Sequence, residues 1–188
     1  NCLYCVEKTE ATVQKTKIIN SRYPGVYATE TSNPSIKACE LDAHLSNGIW
    51  VNDQAKGTYT NCHIHDNQKY GLNIGGSSTP SFKDCEIYGH LFTGIAVNDQ
   101  ASGTYTNCHI HDNQSNGLNI GGSSTPSFED CKIHDNKKEG EPYPGVVVIN
   151  SSNPSLKACE IYGHLFTGIF VSDQASGTYT NCHIHDNQ

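Results

Sequence analysis

Three copies of a His-x-His triplet stand out as residues equipped for chemistry: His63 and His65, His109 and His111, His183 and His185. Alternate residues of an extended strand share one face, so each triplet projects two imidazoles to the same side. Between these copies, Glu40, Glu86 and Glu160 recur in the slot of the first histidine, and His134 continues the row. Imidazole and carboxylate together suit Zn²⁺ or Cu²⁺. The metal candidates are therefore His63, Glu86, His109, His111 and His134, with His111 beside His134 the closest pair. The plainer alternative is a solvated Glu/His surface of weak ion pairs, and the sequence calls for no resident cofactor. Asp53 and Asp99 form a second set, in equivalent slots of near-identical segments. Two repeats of a parallel stack would separate them by ~9.6 Å, at the upper edge of an inverting carboxylate pair. A similar aspartate at Asp173 favours turn residues that cap backbone amides. Nine cysteines complete the inventory. Seven recur at long, regular intervals and read as small buried hydrophobes, whereas Cys2-x-x-Cys5 is a lone pair without a partner motif.

What positions these groups is a repeat. GIWVNDQAKGTYTNCHIHDNQ at 48–68 returns at 94–114 and, with slight changes, at 168–188, and a related form occupies 71–93. Glycines 48, 71 and 94 set a period of 23 residues, and alternation of the two forms makes a 46-residue super-repeat. The coils run 2–24, 25–47, 48–70, 71–93, 94–116, 117–144, 145–167 and 168–188; the sixth carries five extra residues and the eighth is two short. Position two of each coil reads Val26, Ile49, Leu72, Ile95, Leu118, Val146, Ile169, and position four is equally apolar. Position twelve is aromatic or aliphatic, fifteen is cysteine and seventeen is Leu or Ile. Apolar residues two apart, in three short runs per coil, predict three strands that each bury one face. The period leaves no room for a helix, which excludes leucine-rich, ankyrin and tetratricopeptide repeats. The expected fold is all-β: a right-handed parallel β-helix of eight coils and three parallel sheets, a rod of roughly 38 Å at ~4.8 Å per coil. One domain is expected over 1–188, as a segment of a longer protein.

Composition narrows the function. The formal net charge is −7 and Arg22 is the only arginine, so a nucleic-acid partner is not expected. The longest apolar run, Val146-Val147-Val148-Ile149, is far short of a membrane span. The chain has no methionine and begins at Asn1, which suggests processing or excision. No compartment follows from the sequence. Neither terminal coil shows a capping helix; a segment of a longer solenoid is the simplest reading of the uncapped strands, and end-to-end self-association is the rival.

SNPSIKACEL, SNPSLKACEI and GTYTNCHIHDN, each followed by a glycine-led GIxV or GLxI strand, resemble the pectin-lyase-like repeats of carbohydrate-binding proteins and sugar hydrolases. Similar coils occur in NosD-type proteins and in the β-helix segment of F-box adaptors. The resemblance covers essentially the whole chain and implies the fold; it would place any chemistry on the outer face of the first strand. Against the lyase pattern, Arg22 sits in a turn of the degenerate first coil without an acid cluster. Against the polygalacturonase pattern, Asp-Asp and Arg-x-Lys are missing, and Gly89-His90 and Gly163-His164 are each followed by leucine.

The outward row of the first strand offers a binding surface instead: Tyr4, Tyr27, Trp50, Asn73, Ala96, Asn119, Val147, Phe170. Exposed aromatics stack on sugars or anchor proteins; a covering segment is the alternative. The sixth coil adds the one irregular loop, with Lys137, Lys138 and Tyr143. Phe92 and Phe166 add apolar turns. Thr-x-Thr rows at 58–60, 104–106 and 178–180 are interrupted by Lys37, Lys83, Glu129 and Lys157, which argues against a flat ice-binding array. The expected ligand-binding residues are Tyr27, Trp50, Asp53, Asn73, Asp99, Lys137, Lys138, Tyr143 and Phe170. The leading expectation is a non-catalytic scaffold or recognition module for a protein or polysaccharide partner. A fragment of a polysaccharide-active lyase or hydrolase is the second reading, and a metal-binding His/Glu surface the third.

Overall fold

The structure, a computed structural model, describes residues 2–188. Among the described residues there are 24 three-residue strands and no helix. They form three parallel sheets of eight strands each. The first sheet contains Leu3–Cys5, Val26–Ala28, Ile49–Val51, Leu72–Ile74, Ile95–Val97, Leu118–Ile120, Val146–Val148 and Ile169–Val171. The second runs from Thr12–Gln14 to Thr178–Thr180 and the third from Lys17–Ile19 to His183–His185. Every strand pairs with its equivalents in the adjacent coils without slippage, as in Leu72 opposite Ile49 and Ile95. The eight expected coils and three sheets are thus the observed ones.

Closing a coil in so few residues requires sharp corners, and each coil makes three with a residue in the left-handed region, joined after the first strand of the last four coils by a second such residue (Gln100, Ser123, Ser151, Gln174). After the first strand they are Glu7, Glu30, Asp53, Gly76, Asp99, Gly122, Asn150 and Asp173; after the second, Lys15, Ala38, Asn61, Asp84, Asn107, Asp130, Ala158 and Asn181. After the third they are Asn20, Ala43, Asp66, Gly89, Asp112, Asp135, Gly163 and Asp186. Asn, Asp and Gly tolerate positive φ best, which accounts for much of their abundance here. The five extra residues of the sixth coil leave the stack as a small hairpin, bridged between Lys138 and Glu141. The pairs on either side, such as Ser127 with Ser155, keep their register.

The interior consists of columns. Tyr59, Phe82, Tyr105 and Phe128 stack face to face with centroids 4.4, 5.4 and 4.4 Å apart. All four are fully buried. The cysteines form a neighbouring column in which most thiols donate to a main-chain carbonyl of the preceding coil, as Cys85 to Tyr59 O at 3.4 Å and Cys131 to Tyr105 O at 3.4 Å, while Cys108 bonds within its own coil to Thr106 O at 3.5 Å. All nine are free. Neighbouring thiols and burial raise Cys62, Cys108 and Cys159. The Cys108 thiol pulls Cys85 and Cys131 the other way. A thiolate in this column would have no cation beside it, so we assign neutral thiols throughout.

A buried polar column was not anticipated from the sequence. It runs Ser21, His44, Asn67, His90, Asn113, Asn136, His164, Asn187 at the corner between the third and first sheets. From His44 to Asn187 the side chains accept the amide of the neighbour one coil back, as His44 N donates to Asn67 Oδ1 at 3.0 Å and Asn67 N to His90 Nδ1 at 3.2 Å, except His164, whose Nε2 faces Asn136 Nδ2 at 3.4 Å instead. His90 N donates to Asn113 Oδ1 at 3.1 Å. Because His90 Nδ1 accepts and Nε2 faces Ile64 O at 3.1 Å, the ring must be neutral with its proton on Nε2. The glycine that opens each coil makes room for this column. A Cβ on Gly71 would lie 2.5 Å from His90 Nε2 and 2.4 Å from Ile87 Cγ2.

Two measurements follow. Burial drives His90 down to about 3 and lowers His44 and His164 as well. Below pH ~6.5 the unfolded chain therefore takes up protons that the folded chain refuses, and His90 alone costs about 1.4 kcal/mol of stability per pH unit. Urea unfolding between pH 7 and pH 4 should show this loss, and His90→Asn, the residue type found one coil away on either side, should flatten it. An unchanged slope in the variant would overturn the assignment of a buried neutral His90. Separately, the hydroxyls of Tyr59 and Tyr105 are buried without a hydrogen-bond partner. Tyr105→Phe, which copies Phe82 and Phe128, should hold stability or raise it by about 1 kcal/mol; a loss of that size would reveal a partner for the hydroxyl.

Candidate functional site

Two outward faces carry the candidate residues. On the first sheet Tyr4, Tyr27, Trp50, Asn73 and Ala96 are aligned in successive strands, and Asn119, Val147 and Phe170 continue the row. Tyr27 and Trp50 stack at 4.8 Å with planes 27° apart, and Tyr4 leans on Tyr27 at 5.1 Å and 38°. Their faces cover one another, so edges and polar tips meet solvent. An open cleft bordered by Cys2, Tyr4, Tyr23, Pro24, Tyr27 and Trp50 lies alongside, with an entirely apolar surface. Tyr4 and Tyr23 are its most exposed walls, at 59% and 66%. Farther along the row, Asn73 and Asn119 are half-buried on either side of the covered Ala96.

The other first-sheet candidates are dispersed. Asp53 and Asp99 are exposed corner residues, φ 59° and 57°. The Asp53 carboxylate accepts the Thr29 hydroxyl and the Glu30 amide, the latter at 3.3 Å, and its other oxygen takes Asn52 Nδ2 at 3.2 Å. It is thereby committed to holding the turn of the preceding coil. Phe170 is 42% exposed but lies five coils from Trp50, roughly 24 Å along the axis. Lys137 pairs with Asp135 at 2.9 Å, Lys138 is exposed and Tyr143 is half-buried. Their loop leans toward Leu165 and Gln188 in the seventh and eighth coils. The structure therefore groups Tyr27, Trp50 and Asn73, adds Tyr4 and Tyr23, and leaves the loop and Phe170 outside that group.

The third sheet carries a continuous column of six stacked rings: His65, Tyr88, His111, His134, Tyr162 and His185. Successive centroids are 4.9, 5.1, 5.0, 4.8 and 5.0 Å apart and successive planes differ by no more than 11°. Each histidine of the column is held by the corner aspartate that follows it. Nδ1 lies 2.9 Å from Asp66 at His65, 2.8 Å from Asp112 at His111, 3.1 Å from Asp135 at His134 and 2.8 Å from Asp186 at His185. Where the column has tyrosine the corner is glycine. A Cβ on Gly89 would lie 2.5 Å from Asp66 Oδ1, and one on Gly163 would lie 2.7 Å from Asp135 Oδ1. His-Asp coils and Tyr-Gly coils thus fit one another as complements.

Glutamates of the neighbouring row meet the remaining ring nitrogens. Glu86 reaches His63 Nδ1 and His111 Nε2, both at 3.3 Å, and Glu160 reaches His185 Nε2 at 3.4 Å. The Asp186 bond, aided by Glu160, raises His185 above the ordinary histidine range. Burial, with Lys132 nearby, lowers His109. His111 and His134, the closest pair expected from the sequence, point their in-plane nitrogens in parallel because their rings stack. One ion cannot lie on both lone pairs, so that pair is a poor chelate. Donor atoms converge instead at Glu160, His183 and His185, and at Glu40, Asp42 and His65, within 4.8 Å of one another in each set. The first set includes His183, whose ring lies 4.2 Å from that of His185. Sequence spacing marks every such triplet alike; ring stacking and glutamate sharing distinguish them.

Among solved structures, the pectate lyase Pel9A superimposes with a TM-score of 0.64 at 14% identity. The match covers 88% of this chain and 56% of the lyase, so the chain spans little more than half of that enzyme's length. At that identity the likeness concerns the fold. QnrB1, a plasmid-mediated fluoroquinolone resistance protein, aligns over 92% of each chain at 11% identity with a TM-score of only 0.22. No curated protein sequence matches the chain. The family described as "Right handed beta helix region" matches residues 1–143, which cover the first five coils and nearly all of the sixth. With three parallel sheets in unbroken register behind that match, the chain belongs to the right-handed β-helix family.

Proposed function

We propose that this chain is a non-catalytic recognition module whose first-sheet face binds a neutral polysaccharide. The observation that carries the reading is the aligned row Tyr4, Tyr27, Trp50, Asn73, with the apolar cleft beside its aromatic half. A sugar ring has C–H faces that pack on aromatic carbon and hydroxyl edges that pair with amides. The row offers both in that order along the axis. Because Tyr27, Trp50 and Asn73 are set on strands hydrogen-bonded on both sides, little ordering entropy opposes binding there. The net charge of −7 favours a neutral glycan over a polyuronate, which the protein's field would repel. The fold also serves the pectate lyase, an enzyme named for a polysaccharide, which makes the ligand class a natural one for this architecture.

The non-catalytic part rests on the state of the acids nearest this face. Asp53 is tied to Thr29, Glu30 and Asn52, and Asp99 stands two coils away across Gly76 at the same corner. Neither is arranged as a positioned acid facing a base across a sugar. The second reading, a segment of a polysaccharide-active enzyme, draws support from the fold alone.

A screen of the purified chain against arrayed neutral and acidic glycans tests both parts. Neutral glycans should be retained, and Trp50→Ala should weaken retention by roughly thirty-fold, about 2 kcal/mol, as for a central aromatic anchor. Circular dichroism should show the variant folded, since Trp50 lies outside the core. Retention that survives Trp50→Ala would overturn the assignment to this face, preference for polyuronates would overturn a neutral ligand, and no retention at all would overturn the carbohydrate reading. Release of shortened sugars from a bound glycan would overturn the non-catalytic one.

A further inference from the structure

We propose that Glu160, His183 and His185 form a binding site for a borderline divalent cation of the Zn²⁺ type, on the third sheet and independent of the glycan face. His183 and His185 leave the same strand on the same side, and Glu160 projects from the adjacent strand, directly opposite His183. One donor atom from each lies within 4.8 Å of the other two. Zn²⁺ with bonds near 2.1 Å needs its donors roughly 3.4 Å apart, so modest side-chain rotations close the set. Glu160 Oε1 and His185 Nε2 already stand at 3.4 Å. Three protein donors on an open sheet leave the remaining position to water, the arrangement of an accessible rather than a structural zinc site.

Two features separate this cluster from a mere row of polar groups. Asp186 holds His185 Nδ1 at 2.8 Å. It thereby fixes the tautomer that puts the proton on Nδ1 and turns the Nε2 lone pair toward Glu160. Metal-binding histidines are commonly oriented by an outer carboxylate in this way. The second feature is that the His183 and His185 rings lie 4.2 Å apart, so both imidazoles can reach one ion together with Glu160 Oε1. Lys132 holds the other oxygen of Glu160 at 3.3 Å and leaves Oε1 turned toward His185 Nε2, the side from which an ion would be bound.

Calorimetric titration of the folded chain with Zn²⁺, read beside the visible spectrum with Co²⁺, tests this. One site per chain should fill first, with a cobalt spectrum lacking a thiolate charge-transfer band. His183→Ala and Glu160→Gln should each abolish that first site. Asp186→Asn, which keeps a residue suited to the left-handed corner, should weaken it by about tenfold. His63→Ala should leave it intact, and circular dichroism should show every variant folded. No uptake, uptake indifferent to His183→Ala and Glu160→Gln, or a thiolate band pointing to the cysteine column would each overturn the site.

Discussion

Everything in this protein depends on closing each turn of chain so that like residues fall on like. Three left-handed corners per coil do this, at the same positions in all eight coils. Each corner is strained for a residue with a Cβ, and Asp, Asn and Gly reduce that strain. In return every strand meets its neighbour in register, and each side chain sits about one strand spacing from its counterparts above and below. The core, the buried polar column and both outer faces are consequences of that single rule.

Alternation between two coil types arises from packing between neighbours. Where the second strand carries tyrosine, the residue two places earlier is glycine, as in Gly57 with Tyr59 and Gly177 with Tyr179; there a Cβ would lie 3.0 and 2.5 Å from the hydroxyl oxygen. Where it carries Phe82 or Phe128, that residue is proline. On the third sheet the corner aspartates Asp66 and Asp135 meet glycine on the next coil, at Gly89 and Gly163, whereas Asp112 and Asp135 are neighbours of the same kind. The 46-residue super-repeat thus follows packing preferences between neighbouring coils without being imposed by them at every step.

The same regularity sets the character of the outer faces. A strand bonded on both sides cannot easily yield, so the interior members of the first-sheet row and of the third-sheet ring column are held before any ligand arrives. Their energetics differ. The first face exposes apolar edges beside a dry cleft, where burial rewards a partner with carbon surface. The third exposes ion pairs that contribute little in water but supply ready donors for a cation. The hairpin of the sixth coil interrupts neither sheet, because its extra residues leave the stack at a corner.

From the sequence alone the period, the strand positions, the inward columns and the membership of each outward row were legible. In a solenoid the alignment of repeats is the alignment of neighbours in space, so spacing by itself decides which residues are adjacent. The polar column from Ser21 to Asn187 escaped notice because it mixes Ser, His and Asn, which share a hydrogen-bonding role but no obvious pattern. Only the tertiary structure decided how adjacent side chains turn. It stacked His111 on His134 and so spoiled them as a chelate, sent His63 to Glu86, and kept His183 with His185. It likewise bound Asp53 into a corner and carried the loop of Lys137, Lys138 and Tyr143 away from Trp50. These outcomes hang on rotamers and on competition for shared partners, which depend on both neighbouring coils at once and therefore on no single stretch of sequence.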